Sequence, residues 1–286
     1  DVEPNVREAA ITGLHETVGH SADSVYRQAL VAADYQLVRT AAGALAGTPG
    51  RPAAVAALLS ALGRITRQRA ETSRDPRVEI LVRLREMGTR ALARRLMRYL
   101  TDFDPVVADS AAAILTSWTG HAVRPAPRRL PIVPVSLAEA DALRGATLRF
   151  TMASGGEFEV ELFPEEAPAT VVRIARLVRR HYYDGLTFHR LAPNFVIQGG
   201  SPGANEYSGY PAFMRDELSA LTHARGTLGV STRGRDTGDA QLFVNLRDNP
   251  RLDYDYTVFG RVVSGLQTVE NIMEGDVIRR VEIRSR

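Results

Sequence analysis

The feature that most constrains this chain is a change of hydrophobic period across a proline-rich stretch. Over residues 1–120, Ala, Leu, Val and Arg recur three and four positions apart and strand-like alternation is absent, which predicts helices. After Gly145 the period falls to two. Residues 147–152 and 157–163 alternate, with Gly155-Gly156 between them as a hairpin turn. Between the two regimes lie Pro125, Pro127, Pro131 and Pro134, with Arg124, Arg128 and Arg129 among them. Such a stretch favours extended backbone and reads as a semi-rigid linker. Ser136-Leu137-Ala138-Glu139 then has the capping-box pattern of a short helix. The division expected is a helical domain at 1–120, a Pro/Arg-rich linker with a short helix at 121–145, and a strand-rich domain at 146–286. At 286 residues the chain is long enough for two separate cores.

The helical part carries a weak repeat. An acid, then Pro or Tyr, then any residue, then Val or Leu, occurs at Glu3-Pro4-Asn5-Val6, Asp34-Tyr35-Gln36-Leu37, Asp75-Pro76-Arg77-Val78 and Asp104-Pro105-Val106-Val107. An Asp followed by Pro is a good helix start, because the carboxylate caps and Pro fits the first turn. Small residues follow (Ala9, Ala41, Ala111), then Leu14, Leu45 and Leu115. The pattern resembles HEAT-type repeats, in which helix pairs stack into an α-solenoid; an irregular helical bundle is the alternative. The third unit fits worst, with Leu81 and Leu84 in the places of the small residues. Because the chain opens on Asp1 inside a repeat anchor, further repeats are expected upstream, and with the N-terminus read as truncated both a cytoplasmic and a periplasmic location stay open.

In the second half the remaining strands are expected at 186–191, 195–198, 227–231, 241–246, 257–263 and 277–283, with helices at 164–180 and 266–273. Many strands with few helices suggest a closed barrel. The sharpest segment is Phe188-His189-Arg190-Leu191-Ala192-Pro193-Asn194-Phe195-Val196-Ile197-Gln198-Gly199-Gly200. It resembles the cyclophilin signature. The likeness continues through Gly226-Thr227-Leu228-Gly229-Val230-Ser231, Gly238-Asp239-Ala240-Gln241-Leu242-Phe243 and Leu252-Asp253 to Tyr256-Thr257-Val258-Phe259-Gly260, in the family's order and spacing. It covers about residues 146–284. The resemblance implies a closed, eight-stranded antiparallel β-barrel capped by two helices, and peptidyl-prolyl cis–trans isomerase (rotamase) activity. With the repeats, the whole chain is expected to be a multidomain α and β protein: a HEAT-like α-solenoid followed by that barrel.

By the same resemblance Arg190 and Gln198 are the catalytic pair, the guanidinium facing the prolyl nitrogen and the amide facing the substrate carbonyl. Phe195, Val196, Ser231, Thr232, Gln241, Phe243, Leu252 and Tyr256 are the expected substrate-binding residues. On a strand, Gln241 and Phe243 share one face, as do Val196 and Gln198. Phe195 breaks that parity, so Pro193-Asn194 is expected to form a turn or bulge. Several positions depart from the best-known members. Val196 replaces the usual Met, Arg251 stands where many carry Trp, Tyr256 where many carry His, Thr232 where many carry Asn, and Leu242 replaces the first of two Phe residues. Loss of the Trp puts tight binding of cyclosporin, the family's macrocyclic inhibitor, in doubt. These changes also motivate a rival reading, a catalytically weak or silent proline-peptide-binding scaffold.

Composition excludes other chemistries. There is no Cys, hence no disulfide, thiol catalysis or Cys-ligated metal. His15 and His20 are five apart and do not share a helix face as metal ligands would. Isomerisation breaks no bond and needs no cofactor. No apolar run reaches the ~18 residues of a membrane span. All 36 basic residues are Arg, which fits a strong codon bias, and the net charge is only +3. Nucleic acid is therefore not the expected partner. Residues 64–98 nevertheless hold 11 Arg, a stripe whose simplest reading is a solvated helix face. The expected partners are proline-containing polypeptides, with a protein partner on the repeats. A bacterial folding helper, or chaperone, is the role these expectations add up to.

Overall fold

The structure is a computed structural model that describes residues 2–284. The polypeptide separates into two compact units, one ending at Ile132 and the other beginning at Val133. Among the described residues no helix is long and apolar enough to cross a membrane.

The first unit is helical: α1 (Pro4–Val18), α2 (Asp23–Ala29), α3 (Tyr35–Ala44), α4 (Arg51–Gln68), α5 (Arg74–Met87), α6 (Ala93–Leu96) and α7 (Pro105–Thr119), with 3-10 turns before α2, α5, α6 and α7. The four acid-led anchors mark the starts of α1, α3, α5 and α7. Asp34 Oδ1 accepts from Leu37 N at 2.8 Å and Asp104 Oδ1 from Val106 N at 2.9 Å, so two of the anchors cap their helices by side chain. Asp75 is instead one residue inside α5, which begins at Arg74. These helices pack in a row, α3 against α1 and α5, and α5 against α7, while α4 lies on α5. The small and branched residues of the repeat (Val38, Ala41, Leu45, Leu81, Leu84, Ala111, Leu115) fill the core between them.

An ion pair is buried beside that core. Arg77 is fully enclosed, donates to Asp102 Oδ1 at 2.7 Å and to the Ser73 carbonyl at 3.2 Å, and lies on the Phe103 ring 4.3 Å from its centroid. Asp102 Oδ1 also accepts from Asp104 N at 2.8 Å, so the pair locks the entry of α7 onto α5. The proline-rich stretch divides between the units. Ala126 N bonds to the Leu100 carbonyl at 2.8 Å and Arg128 N to the Asp102 carbonyl at 3.1 Å, so its first part is fastened along the helical unit.

The second unit opens with α8 (Leu137–Asp141), where Ser136 and Glu139 form the expected capping box. Its strands are β1 (Thr147–Met152), β2 (Glu157–Leu162), β3 (Thr187–Ala192), β4 (Val196–Ser201), β5 (Thr227–Val230), β6 (Leu242–Asn245), β7 (Val258–Ser264) and β8 (Ile278–Arg284). They form one curled antiparallel sheet in the order β3-β4-β6-β5-β7-β2-β1-β8. The two end strands approach each other near Thr187 and Val277, where Gly185 N bonds to the Ile278 carbonyl and Ile278 N to the Leu186 carbonyl, both at 2.8 Å. Two helices, α9 (Pro168–Arg179) and α10 (Leu266–Glu270), pack on the sheet. The helix expected from residue 164 starts four residues later. Proline lacks the N–H and its ring clashes with the carbonyl four back, so Pro168 can stand only in a first turn. The core is the inner face of the sheet, including the stacked Phe150 and Phe158 rings, closed by Val171, Ile174 and Val178 of α9.

Candidate active site

A second, smaller apolar cluster stands apart from the core on the inner face of the sheet. It consists of Val196, Phe243 and Leu252, with Ala192, Phe195 and Tyr256 against it. Strand pairing assembles it. The β3–β4 hairpin puts Arg190 opposite Gln198 and Ala192 opposite Val196, and the β4–β6 pairing puts Gln198 opposite Phe243. The hairpin turns through Asn194, whose φ of 56° is the left-handed conformation Asn tolerates, with Phe195 N bonded to the Ala192 carbonyl at 3.1 Å. This is the turn that the broken parity at Phe195 requires. His189 is the extra residue of a bulge in β3 between Phe188 and Arg190, so Arg190 regains the face of Gln198.

A cleft of 270 Å³ opens on this cluster. Nine of the ten residues expected from the sequence line it: Arg190, Phe195, Val196, Gln198 and Ser231, together with Thr232, Phe243, Leu252 and Tyr256. Gln241 stands just behind, its side-chain carbonyl accepting from Gln198 Nε2 at 3.2 Å. Arg190 Nη1 donates to Gln198 Oε1 at 3.3 Å. The polar wall is closed by a residue that sequence reasoning missed. Glu206 Oε1 is 3.6 Å from Arg190 Nε, and the Glu206 backbone carbonyl accepts from Gln241 Nε2 at 3.1 Å. Gln198 and Gln241 are buried, whereas Arg190 and Glu206 are each 45% exposed at the rim. A loop position after β4, with no periodicity around it, gives no signal for Glu206.

His223 was also invisible in the sequence. It is buried, stacks on Phe243 at 5.8 Å with 16° between the planes, and holds Asp253 Oδ1 3.1 Å from Nδ1. Burial pushes its imidazole pKa down, against the carboxylate of Asp253. Its ring backs the Phe243 ring, and Tyr256 meets Phe243 edge-on at 5.9 Å. The tip of the Phe243 ring is met by Gly229 of β5: a methyl built there lies 2.7 Å from Cε1 and 2.9 Å from Cε2, and closer still to Cζ. Arg251, in the position where many cyclophilins carry Trp, lays its guanidinium over Phe195 at 4.1 Å and continues the wall. His189 points away from this chemistry, and burial lowers its pKa to about 4.

The arrangement thus offers an apolar seat beside one guanidinium and one buried amide. A family profile described as cyclophilin type peptidyl-prolyl cis-trans isomerase/CLD matches residues 147–285. Peptidyl-prolyl cis-trans isomerase B of Bacillus subtilis is 40% identical over 136 residues, covering 47% of this chain and 95% of that protein. The peptidyl-prolyl cis-trans isomerase of Helicobacter pylori strain 26695 is 37% identical over 134 residues, covering 46% of this chain and 82% of that protein. A crystal structure of a Cryptosporidium parvum cyclophilin type isomerase, determined in the presence of the dipeptide Ala-Pro, matches with a TM-score of 0.46 and 25% identity over 49% of this chain and 99% of that one. With seat, guanidinium and amide in register and two fifths of the residues shared with a relative matched almost end to end, the chain belongs, through its second unit, to the cyclophilin-type peptidyl-prolyl cis-trans isomerases.

Proposed function

We propose that the second unit isomerises X–Pro bonds of polypeptides and thereby assists their folding. The observation that carries this is Arg190 within hydrogen-bonding distance of Gln198 at the edge of the Val196–Phe243–Leu252 seat. Rotation about the prolyl amide costs ~18–20 kcal/mol because conjugation holds it planar. A 10⁵-fold acceleration requires about 7 kcal/mol of preferential stabilisation of the twisted state. Twisting returns a lone pair to the prolyl nitrogen. A guanidinium aimed at that nitrogen is always charged and rich in donors, and it favours the twisted state over the planar one. The apolar seat holds the ring while the preceding carbonyl swings, and Gln198 Nε2 is the donor for that carbonyl. No nucleophile or proton transfer is needed. In a protease-coupled assay with proline peptides, the parent chain turns over and Arg190→Ala loses about 10²-fold or more in kcat/KM with an unchanged circular dichroism spectrum. An inactive parent refutes the reading.

Glu206 favours a second reading, a weak isomerase that works mainly as a peptide-binding scaffold. A carboxylate 3.6 Å from Arg190 competes with the substrate nitrogen for the guanidinium. The same assay separates the two, since the scaffold binds proline peptides without accelerating them.

For the rest of the chain, the row α1-α3-α5-α7 with α4 alongside supports a HEAT-like solenoid over about residues 1–120, and its function is to hold protein partners or clients. The bonds of Gly185 and Leu186 with Ile278 support closure of the sheet into a barrel in the domain at 146–286.

A further inference from the structure

Two groups of four stand out within the 11-Arg run at 64–98 once its partners are known. Arg64 donates to the Leu30 and Ala32 carbonyls, Arg74 and Arg77 pair with Asp104 and Asp102, and Arg83 pairs with Glu79 and Glu86. These hold the helical unit together. Arg67, Arg94, Arg95 and Arg98 are different. Among the described residues none of the four has a carboxylate within ion-pair distance, and all four line a single cavity of 590 Å³ between α4 and the segment 94–99. Its floor is made of the small residues Ala56, Ser60 and Gly63 on one face of α4.

The geometry over Gly63 is specific. At the point where a Cβ would stand, Arg67 Nη1 and Arg98 Nη2 are each 3.6 Å away and the Tyr99 hydroxyl is 3.9 Å away. Tyr99 itself is buried and so is fixed in place. Two guanidinium nitrogens and a hydroxyl therefore converge on one spot that is open only because residue 63 has no side chain. Like charges converge stably where an anion lies between them, and the guanidinium fork matches phosphate oxygens. A single carboxylate neutralises one of the four charges. A nucleic-acid backbone calls for charges strung along a surface, whereas these close on a point.

We infer that this cavity is a binding site for a compact polyphosphate oxyanion, of which pyrophosphate is the simplest example. One phosphate group sits over Gly63 between Arg67, Arg98 and Tyr99, and the next is met by Arg94 and Arg95 at the rim. The site is independent of the proline cleft and does not rest on the isomerase reading.

Calorimetric titration of the full chain with pyrophosphate at about 0.15 M salt tests it. The parent binds one equivalent. Arg67→Gln/Arg98→Gln weakens binding by at least about tenfold, while the charge-matched Arg85→Gln/Arg90→Gln, outside the cavity, leaves it unchanged. Gly63→Ala keeps every charge, meets only ordinary van der Waals distances and fits a helix interior, yet weakens binding by occupying the spot. ADP binding as tightly as pyrophosphate assigns the recognition to the phosphates; tighter ADP binding places the source of the group in a nucleotide. No binding by the parent, equal weakening in both double variants, or binding of a single-stranded oligonucleotide but not of pyrophosphate overturns the proposal. Far-UV circular dichroism and the fluorescence of Trp118 in α7, unchanged in all of these variants, serve as the check that the helical unit is folded.

Discussion

The seat for proline is built on a missing side chain, and restoring it is the sharpest perturbation available. In Gly229→Ala the new methyl falls 2.7 and 2.9 Å from Phe243 Cε1 and Cε2. Carbon atoms rest at ~3.5–4.0 Å and Cζ is met more closely still, so the ring must withdraw by about 1–2 Å. It cannot withdraw toward His223, which stacks on it, and the direction left open is the cleft. Overpacking of this kind costs ~1–3 kcal/mol, which lowers the melting temperature of a domain this size by about 2–12 °C. A displacement of ~1 Å in a group that positions substrate costs on the order of 10²-fold in rate. Gly229→Ala is therefore expected to melt lower by calorimetry and to lose roughly 10²-fold in kcat/KM for a proline tetrapeptide. Adding Phe243→Leu to Gly229→Ala relieves the clash. The double variant regains stability relative to the sum of the single effects but not activity, because the seat is then too wide. Wild-type stability and activity in Gly229→Ala would refute the view that this ring is held at its limit of approach.

Further expectations follow from the same geometry. Glu206→Gln removes the carboxylate beside Arg190 and raises kcat/KM several-fold at low salt, an advantage that shrinks as salt screens the charge in the parent. Asp102→Ala leaves Arg77 buried without its carboxylate and destabilises the helical unit by ~3–5 kcal/mol; Trp118, the one tryptophan in the chain, reports that unfolding by fluorescence, while isomerase turnover stays at parent level. His189 titrates at about 4 in the folded unit and near 6.5 when unfolded. Between those values the unfolded chain binds a proton that the folded one refuses, so urea stability falls as pH drops from about 6.5 toward 4 and is unaffected by this group above 6.5. His189→Gln flattens that part of the profile; an unchanged slope counts against the assignment.

Most strand positions were legible because a sheet with one buried face imposes a period of two. The observed strands begin or end within a few residues of the alternation, and the turn at Asn194 follows from counting faces. The start of α9 was misplaced because two prolines four apart both look like helix openers, and only backbone sterics decides for Pro168. The apolar seat, Arg190 and Gln198 were named from the resemblance to the cyclophilin signature. Glu206 and His223 were not, since they reach the site through loops whose course no periodicity encodes. The arginine run shows the same limit in the helical unit. Its spacing does not mark out any member, yet Arg77 is enclosed with Asp102 while Arg67 and Arg98 converge over Gly63, and only tertiary packing separates these fates.

The polar ring Arg190–Gln198–Gln241–Glu206 is contributed by two strands, a long loop and the residue entering a third strand. The β3–β4 hairpin alone carries only two of its members. Turnover of a proline peptide is thus a gauge of the whole second unit: any partly folded form that frays β6 or releases the loop after β4 is silent, and loss of rate under denaturant should coincide with the loss of native sheet rather than precede it.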